Sequence, residues 1–292
     1  MLRLPPSRNP YILSDWAEAS VLFTNRNLSW STIFSTLQAQ DTPNPDQKTS
    51  DVWRELRRRR RLFQGGYPFT ISNSTLSRRL EWQETIWYSF MLMLSLHSQY
   101  SDKSPRGGWR VASKNFERMA EEATSLYLHG PSINIGAPRD GRTAPHGFRD
   151  TLQLISDASK EPMGLRLAEN KASQDAGADV VSWIHFPDER PGKIALLVNC
   201  KCSGDIKSLA TELSVGLWTD LISWAVPPVS AFAFPYVCPE RDWFEVSRKG
   251  GMLLDRVRLV HLQHRRTRSS SYNPIRLWCR EEARFYSLLR LN

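Results

Sequence analysis

Two short apolar runs, Asp179–Phe186 (DVVSWIHF) and Lys193–Lys201 (KIALLVNCK), constrain this 292-residue chain more than any other feature. Both are rich in β-branched and apolar residues, and the intervening Pro187–Gly192 (PDERPG) has the composition of a turn. The spacing predicts an antiparallel hairpin. With its turn centred near residues 189 and 190, partner numbers sum to a constant, so Asp179 at the start of the first strand lies across from Asn199 to Lys201 at the end of the second. Asn199 and Lys201, two apart, project from one face of their strand. Three polar side chains are thereby gathered at one end of the hairpin. A carboxylate there can hold a hard cation, and an ammonium can orient or polarise a water.

The rest of the chain supplies helices around this hairpin. Residues 14–37 predict two short helices, 40–50 a loop with Pro43 and Pro45, 51–61 a helix stopping at Gly65-Gly66, and 76–100 a further helix. The first hundred residues therefore read as mainly helical. The polar stretch Ser101–Gly108 (SDKSPRGG) suggests a boundary, dividing the chain into a helical region, 1–108, and an α/β core, 109–292. Within the core, helical periodicity covers 114–129, ended by Gly130, and a helix is expected over 148–159. Residues 131–149 read as loop with a short strand at 132–136. After the hairpin come a helix over 209–224, ended by Pro227-Pro228, and strands over 229–237 and 253–262. Strands alternating with helices indicate an α/β class.

Composition bounds the class of protein. Hydrophobic residues make up 40% and charged residues 24%, values of an ordinary folded domain, which excludes wholesale disorder. The four cysteines, Cys200, Cys202, Cys238 and Cys279, are too scattered for a secreted disulfide framework, and the N-terminus lacks a signal-peptide pattern; a cytoplasmic location is expected. The most apolar stretch, Trp87–Leu96, is too short to span a bilayer core of about 30 Å, so no membrane segment is expected. A formal charge of +9 favours polyanionic partners, through counterion release on phosphate contact.

The run Asp175-Ala176-Gly177-Ala178-Asp179-Val180-Val181, followed by Leu196-Leu197-Val198-Asn199-Cys200-Lys201, resembles the PD-(D/E)XK nuclease superfamily, particularly the Mrr-type restriction endonucleases. There a D-G-G-x-D strand start precedes a strand ending in Q-x-K or E-x-K, and Phe116-Glu117 is similar to the Phe-Glu pair that opens the core. The similarity covers roughly residues 114–240. It implies a restriction-endonuclease-like core, a mixed central sheet flanked by helices, beside the N-terminal helical region. It further implies a DNA endonuclease using Mg2+ or Mn2+, serving restriction or anti-phage defence. Asp179 would be the principal carboxylate ligand, Glu117 a second or water-mediated one, and the Cys200 carbonyl a further ligand. Lys201 would help generate the attacking hydroxide. Asn199 stands where the family has Glu, Asp or Gln, and a neutral amide oxygen lowers the expected metal affinity. The alternative is a catalytically degenerate nuclease fold that binds DNA or assembles a defence complex. A protein partner taken up by the N-terminal helical region, and pairing of two copies, are further expectations.

Other residues compete for these roles. Glu121, Glu122 and Glu169 are alternatives to Glu117, Lys207 to Lys201, and Asp175 can lend outer charge or simply start the turn. Cys200-Lys201-Cys202 has the wrong spacing for a structural zinc site, so packed thiols are the simpler reading. Arg57–Arg61 reads equally as a phosphate stripe or a solvated helix face, and His264–Arg268 as a loop for backbone contact or a surface loop. Trp82, Trp87, Trp218 and Trp224 fall at apolar-face positions and read as core.

Overall fold

In the computed structural model, residues 1–100, 108–136, 144–164, 176–264 and 269–289 are described. Residues Asp175, Glu169 and Arg265–Arg268, and the expected boundary at 101–107, lie outside them. The order of elements is α1 (Pro10–Thr24), β1 (Leu28–Ser29), α2 (Trp30–Gln38), α3 (Pro45–Phe63), β2 (Phe69–Ser72), β3 (Thr75–Arg78), α4 (Ile86–Tyr100), α5 (Gly108–Leu128), β4 (Ser132–Asn134) and α6 (Phe148–Ser159). It continues with β5 (Val180–Trp183), β6 (Ala195–Cys200), α7 (Ile206–Leu209), α8 (Val215–Leu221), β7 (Val229–Ala233), α9 (Trp243–Gly250), β8 (Met252–Leu254), α10 (Arg256–Gln263) and α11 (Tyr272–Leu288).

Contacts divide the chain into two units: residues 1–112 with 235–239 and 270–292, and residues 113–234 with 240–269. The division differs from a single cut at residue 108, because α11 packs with α4. Trp87 meets Tyr272 and Phe90 meets Trp278 edge to face, and the Tyr286 hydroxyl donates to the Met93 carbonyl. No described helix is long and apolar enough to cross a membrane.

In the first unit, a three-stranded antiparallel sheet, ordered β1-β3-β2, adds strands to the region that reads as mainly helical. Thr75–Arg78 pairs with Phe69–Ser72 across a turn at Asn73, whose φ is 50°, so the helix expected from residue 76 begins only at Ile86. α3 begins at Pro45, inside the expected loop, because proline at the first helical position lacks only an amide hydrogen that would go unpaired anyway.

α3 also resolves the arginine run. Arg57, Arg60 and Arg61 face outward, whereas Arg59 turns inward and is 1% exposed. Its Nη1 donates to Asp15 Oδ1 (2.6 Å) and Glu18 Oε2 (2.8 Å), its Nε to Glu55 Oε1 (2.9 Å) and its Nη2 to the Tyr11 carbonyl (3.1 Å). Tyr67 and Ser95 donate to the remaining oxygens of Glu18 and Asp15, and Arg58 to the second oxygen of Glu55. Burial alone would favour neutral Arg59, but Glu18, Asp15 and Glu55 outweigh it and hold the guanidinium well above its ordinary pKa.

The second unit is built on a five-stranded mixed sheet, ordered β4-β5-β6-β7-β8. β4, β5 and β6 are antiparallel neighbours, and β7 and β8 add in parallel. Helices cover both faces. Leu152 and Ile155 of α6 and Trp218 and Leu221 of α8 join Val181, Trp183 and Leu197 in one apolar cluster. On the opposite face, Thr124 of α5 shares a hydrogen bond with Ser182 (2.7 Å), which also meets Ser132 (2.7 Å), so the one hydroxyl in β5 is satisfied within the sheet–helix layer. Of the helix expected over 209–224, only 215–221 is formed, as α8, and the short α7 ends at its first residue. The strand expected over 253–262 is only β8; Asp255 then caps α10, its side chain accepting from the Arg258 amide (3.1 Å).

Truncating Arg59 would leave three buried carboxylates without their common partner. Arg59→Ala is expected to destabilise the first unit by about 3–5 kcal/mol, as removal of one member of a buried ion pair typically does; denaturant unfolding followed by tryptophan fluorescence checks it.

Candidate functional site

The hairpin forms in the expected register. Val180 pairs with Val198 and Trp183 with Ala195, which brings Asp179 to the end of β6. Its backbone is held on both sides: the Asp179 amide donates to the Val198 carbonyl, and its own carbonyl accepts from the amides of Ile135 and Gly136. The carboxylate is oriented as well, since Oδ2 accepts from the Cys200 amide at 2.7 Å.

Glu117 reaches the same place from α5. A β-carbon built on Gly136 would fall 2.5 Å from Glu117 Oε2 and 2.9 Å from Asp179 Oδ1. Both carboxylate oxygens therefore lie over one glycine, and cannot be farther apart than the sum of those distances. Any side chain at position 136 would fill the space between them. Three residues of one α5 face meet this end of the sheet. Ser113 hydrogen-bonds the Cys202 thiol, Lys114 Nζ donates to Glu117 Oε2 (2.7 Å) and to the Gly136 carbonyl (2.7 Å), and Glu117 is 8% exposed. A spacing of three and four residues puts them on one side of the helix.

Lys201 follows β6, its amide bonded to the Ala233 carbonyl, and its Nζ pairs with Glu212 Oε2 at 2.6 Å. Asn199 is 2% exposed; its Nδ2 donates to the Leu209 carbonyl over a long 3.4 Å, and its Oδ1 has no hydrogen-bond partner among the described residues. Burial comes first among the causes that push the thiols of Cys200 and Cys202 well above their ordinary pKa, and the negative charges of Asp179 and Glu117 add to it. Both are protonated at neutral pH, which makes them poor nucleophiles and poor soft-metal ligands. All four cysteines are free thiols, and Cys202, Cys238 and Cys279 are buried.

Of the residues singled out in the sequence, Glu117, Asp179 and the Cys200 backbone come together at Gly136, and Lys201 stands at the end of the same strand. Two of the alternatives, Glu122 and Lys207, are engaged elsewhere. Glu122 accepts from Ser269 (2.6 Å), and Lys207 pairs with Asp242 and Glu245 (both 2.8 Å). Sequence reasoning missed Lys114, Gly136 and Glu212. For Lys114 a signal existed, its place three residues before Glu117 on a predicted helix. For Glu212 there was none, because its reach to Lys201 is set by the segment between α7 and α8.

That segment is fixed by Gly177. Its φ is +78°, and a β-carbon there would fall 2.5 Å from the Glu212 carbonyl oxygen. Next to it, Trp218 Nε1 donates to the Ala176 carbonyl (3.2 Å). The turn before Asp179 is thus pressed onto the backbone that carries Glu212. Searches against protein-family models, curated proteins and solved structures find no match to this chain.

Gly177→Ala is expected to cost roughly 1–3 kcal/mol of stability, from the positive φ, with a further loss from the backbone clash; denaturant unfolding of both forms checks it, and equal midpoints would remove Gly177 as the anchor of this end of the sheet.

Proposed function

We propose that the second unit is a metal-dependent endonuclease that hydrolyses DNA phosphodiester bonds, with restriction or anti-phage defence as its role. The observation that carries the reading is the convergence of Glu117 Oε2 and Asp179 Oδ1 on the side-chain-free Gly136, at the strand end from which Lys201 follows. The order of elements supports the same reading: helix α5 precedes the β5–β6 hairpin, and α8 then leads into β7, parallel to β6, the order of helix, hairpin, helix and strand that the resemblance implies.

The residues fit a hard divalent cation, Mg2+ or Mn2+. Two carboxylate oxygens converge where a β-carbon at position 136 would stand, and oxygen donors are what such ions take. Asp179 and Glu117 would hold it, with the Cys200 carbonyl and the orphaned Asn199 Oδ1 as neutral oxygens nearby in sequence. When bound, the ion supplies Lewis-acid stabilisation of the charge that develops on the phosphate. The chain's own groups do the remainder. The Cys200 amide holds Asp179 in one orientation, so no reorganisation is needed during the reaction. Lys201, paired with Glu212, is positioned to orient a water and to stabilise the hydroxide formed as that water loses its proton. In-line attack by its oxygen on phosphorus breaks the bond to the 3′-oxygen and leaves a 5′-phosphate. The net positive charge favours the DNA backbone as partner. A cytoplasmic setting belongs to the same reading, as do a protein partner for the N-terminal region and pairing of two copies.

A second reading is favoured by Asn199. An amide at a buried position where the resembled family has a carboxylate or glutamine weakens a cation site, and a degenerate nuclease fold that binds DNA without cleaving it follows from that. Nicking of supercoiled plasmid in Mg2+ separates the two. The wild type is expected to nick and the Asp179→Ala, Lys201→Ala double variant to lose at least about a hundredfold, as removal of a transition-state stabiliser does. Equal nicking by both would sink the site. Salt-sensitive DNA binding without cleavage in any divalent ion would select the second reading.

A further inference from the structure

We infer that Lys114 is the built-in counter-ion of the Glu117–Asp179 pair, occupying Glu117 until a divalent cation displaces it. The inference rests on the cation site proposed above and names the residue that regulates its occupancy.

Glu117 Oε2, the oxygen nearest the Gly136 position, is the one to which Lys114 Nζ donates at 2.7 Å. The same ammonium donates to the Gly136 carbonyl at 2.7 Å, so it is anchored to the residue whose missing side chain makes the space. Two negative carboxylates over one glycine, with Glu117 only 8% exposed, repel each other unless positive charge stands beside them. Lys201 is committed to Glu212 at 2.6 Å. Lys114 stands within hydrogen-bond distance of Glu117, and one turn of helix α5 fixes it there.

A lysine ammonium and a divalent ion compete for one oxygen, because that oxygen cannot give its strongest lone pair to both. Metal entry therefore breaks the Lys114–Glu117 bond, while the bond to the Gly136 carbonyl keeps the ammonium at the rim. The side chain of Lys114 is 24% exposed, so the displaced group has water to turn into, and substituting it opens no core cavity. A lysine that only braced the helix would behave in the opposite way, since its loss would slacken Glu117 and weaken metal binding.

Mn2+ binding, measured by electron paramagnetic resonance of the free ion and by calorimetry on the full chain, tests the inference without recourse to cleavage. Lys114→Gln is expected to bind Mn2+ on the order of thirtyfold tighter than wild type, the size expected when a unit charge is removed from about 4 Å of a divalent ion at the dielectric constant of water. Lys114→Arg, which keeps the charge, should stay near wild type. The gain should differ in the Glu117→Gln background, where Lys114 no longer has a carboxylate to compete for, so the two substitutions are non-additive. Unchanged or weaker binding by Lys114→Gln, with saturable binding by wild type, overturns the counter-ion role and leaves the cation site standing. No saturable Mn2+ binding by any form at millimolar ion overturns both.

Discussion

The constraint on which the second unit depends is the pairing register of β5 with β6. Side chains alternate across a strand, so a slip of one residue would send Val181, Trp183 and Leu197 out of their apolar cluster and into the opposite layer. The same register sets where the strands end. Asp179 meets the Cys200 amide because Val180 pairs with Val198, not through any attraction between aspartate and its surroundings. Core packing thus pins a polar geometry that has little strength of its own.

Around that fixed end, backbone contacts at two glycines add to the side-chain ion pairs of Glu117 with Lys114 and Lys201 with Glu212. Gly136 bonds to the Asp179 carbonyl through its amide and to Lys114 through its carbonyl, and Gly177 presses on the Glu212 carbonyl. Two glycines in different loops perform related tasks: one leaves room for carboxylates, the other lets two backbone segments touch. The first unit solves a different problem in a similar manner. Its buried Arg59 is tolerable only because three carboxylates, Tyr67, Ser95 and Arg58 complete the network, so the cost of burial is met by geometry spread over α1, α3 and α4.

Period-two and period-3.6 patterns were legible where a segment had one buried face. The hairpin, α6 and β7 were read close to their observed bounds. Reading failed where local chemistry competes with periodicity. Thr75–Arg78 continues an apolar rhythm into α4, yet it pairs with β2, an interaction of tertiary origin. Leu253–Leu262 is apolar enough for a strand, but Asp255 caps a helix three residues in. The long helix expected over 209–224 breaks at Ser214, whose hydroxyl accepts from the Leu217 amide and starts α8 afresh. At the site, Asp179, Glu117 and Lys201 were legible as residue types in a pattern. Lys114 was legible only through its place three residues before Glu117 on one helix, and Glu212 was not legible at all, because an ion pair between distant segments leaves no mark on spacing.

Asn199 has a local reason to be an amide. It is buried, and the atom it faces in α7 is the Leu209 carbonyl oxygen, an acceptor. A carboxylate there would set lone pair against lone pair at low exposure, whereas an amide offers a donor. Charge points the same way. Glu117 and Glu212 each already take up an ammonium, those of Lys114 and Lys201, and a carboxylate at position 199 would add negative charge at this strand end. The amide therefore follows from how α7 meets the end of β6, through the Leu209 carbonyl, and it leaves Oδ1 as a neutral oxygen.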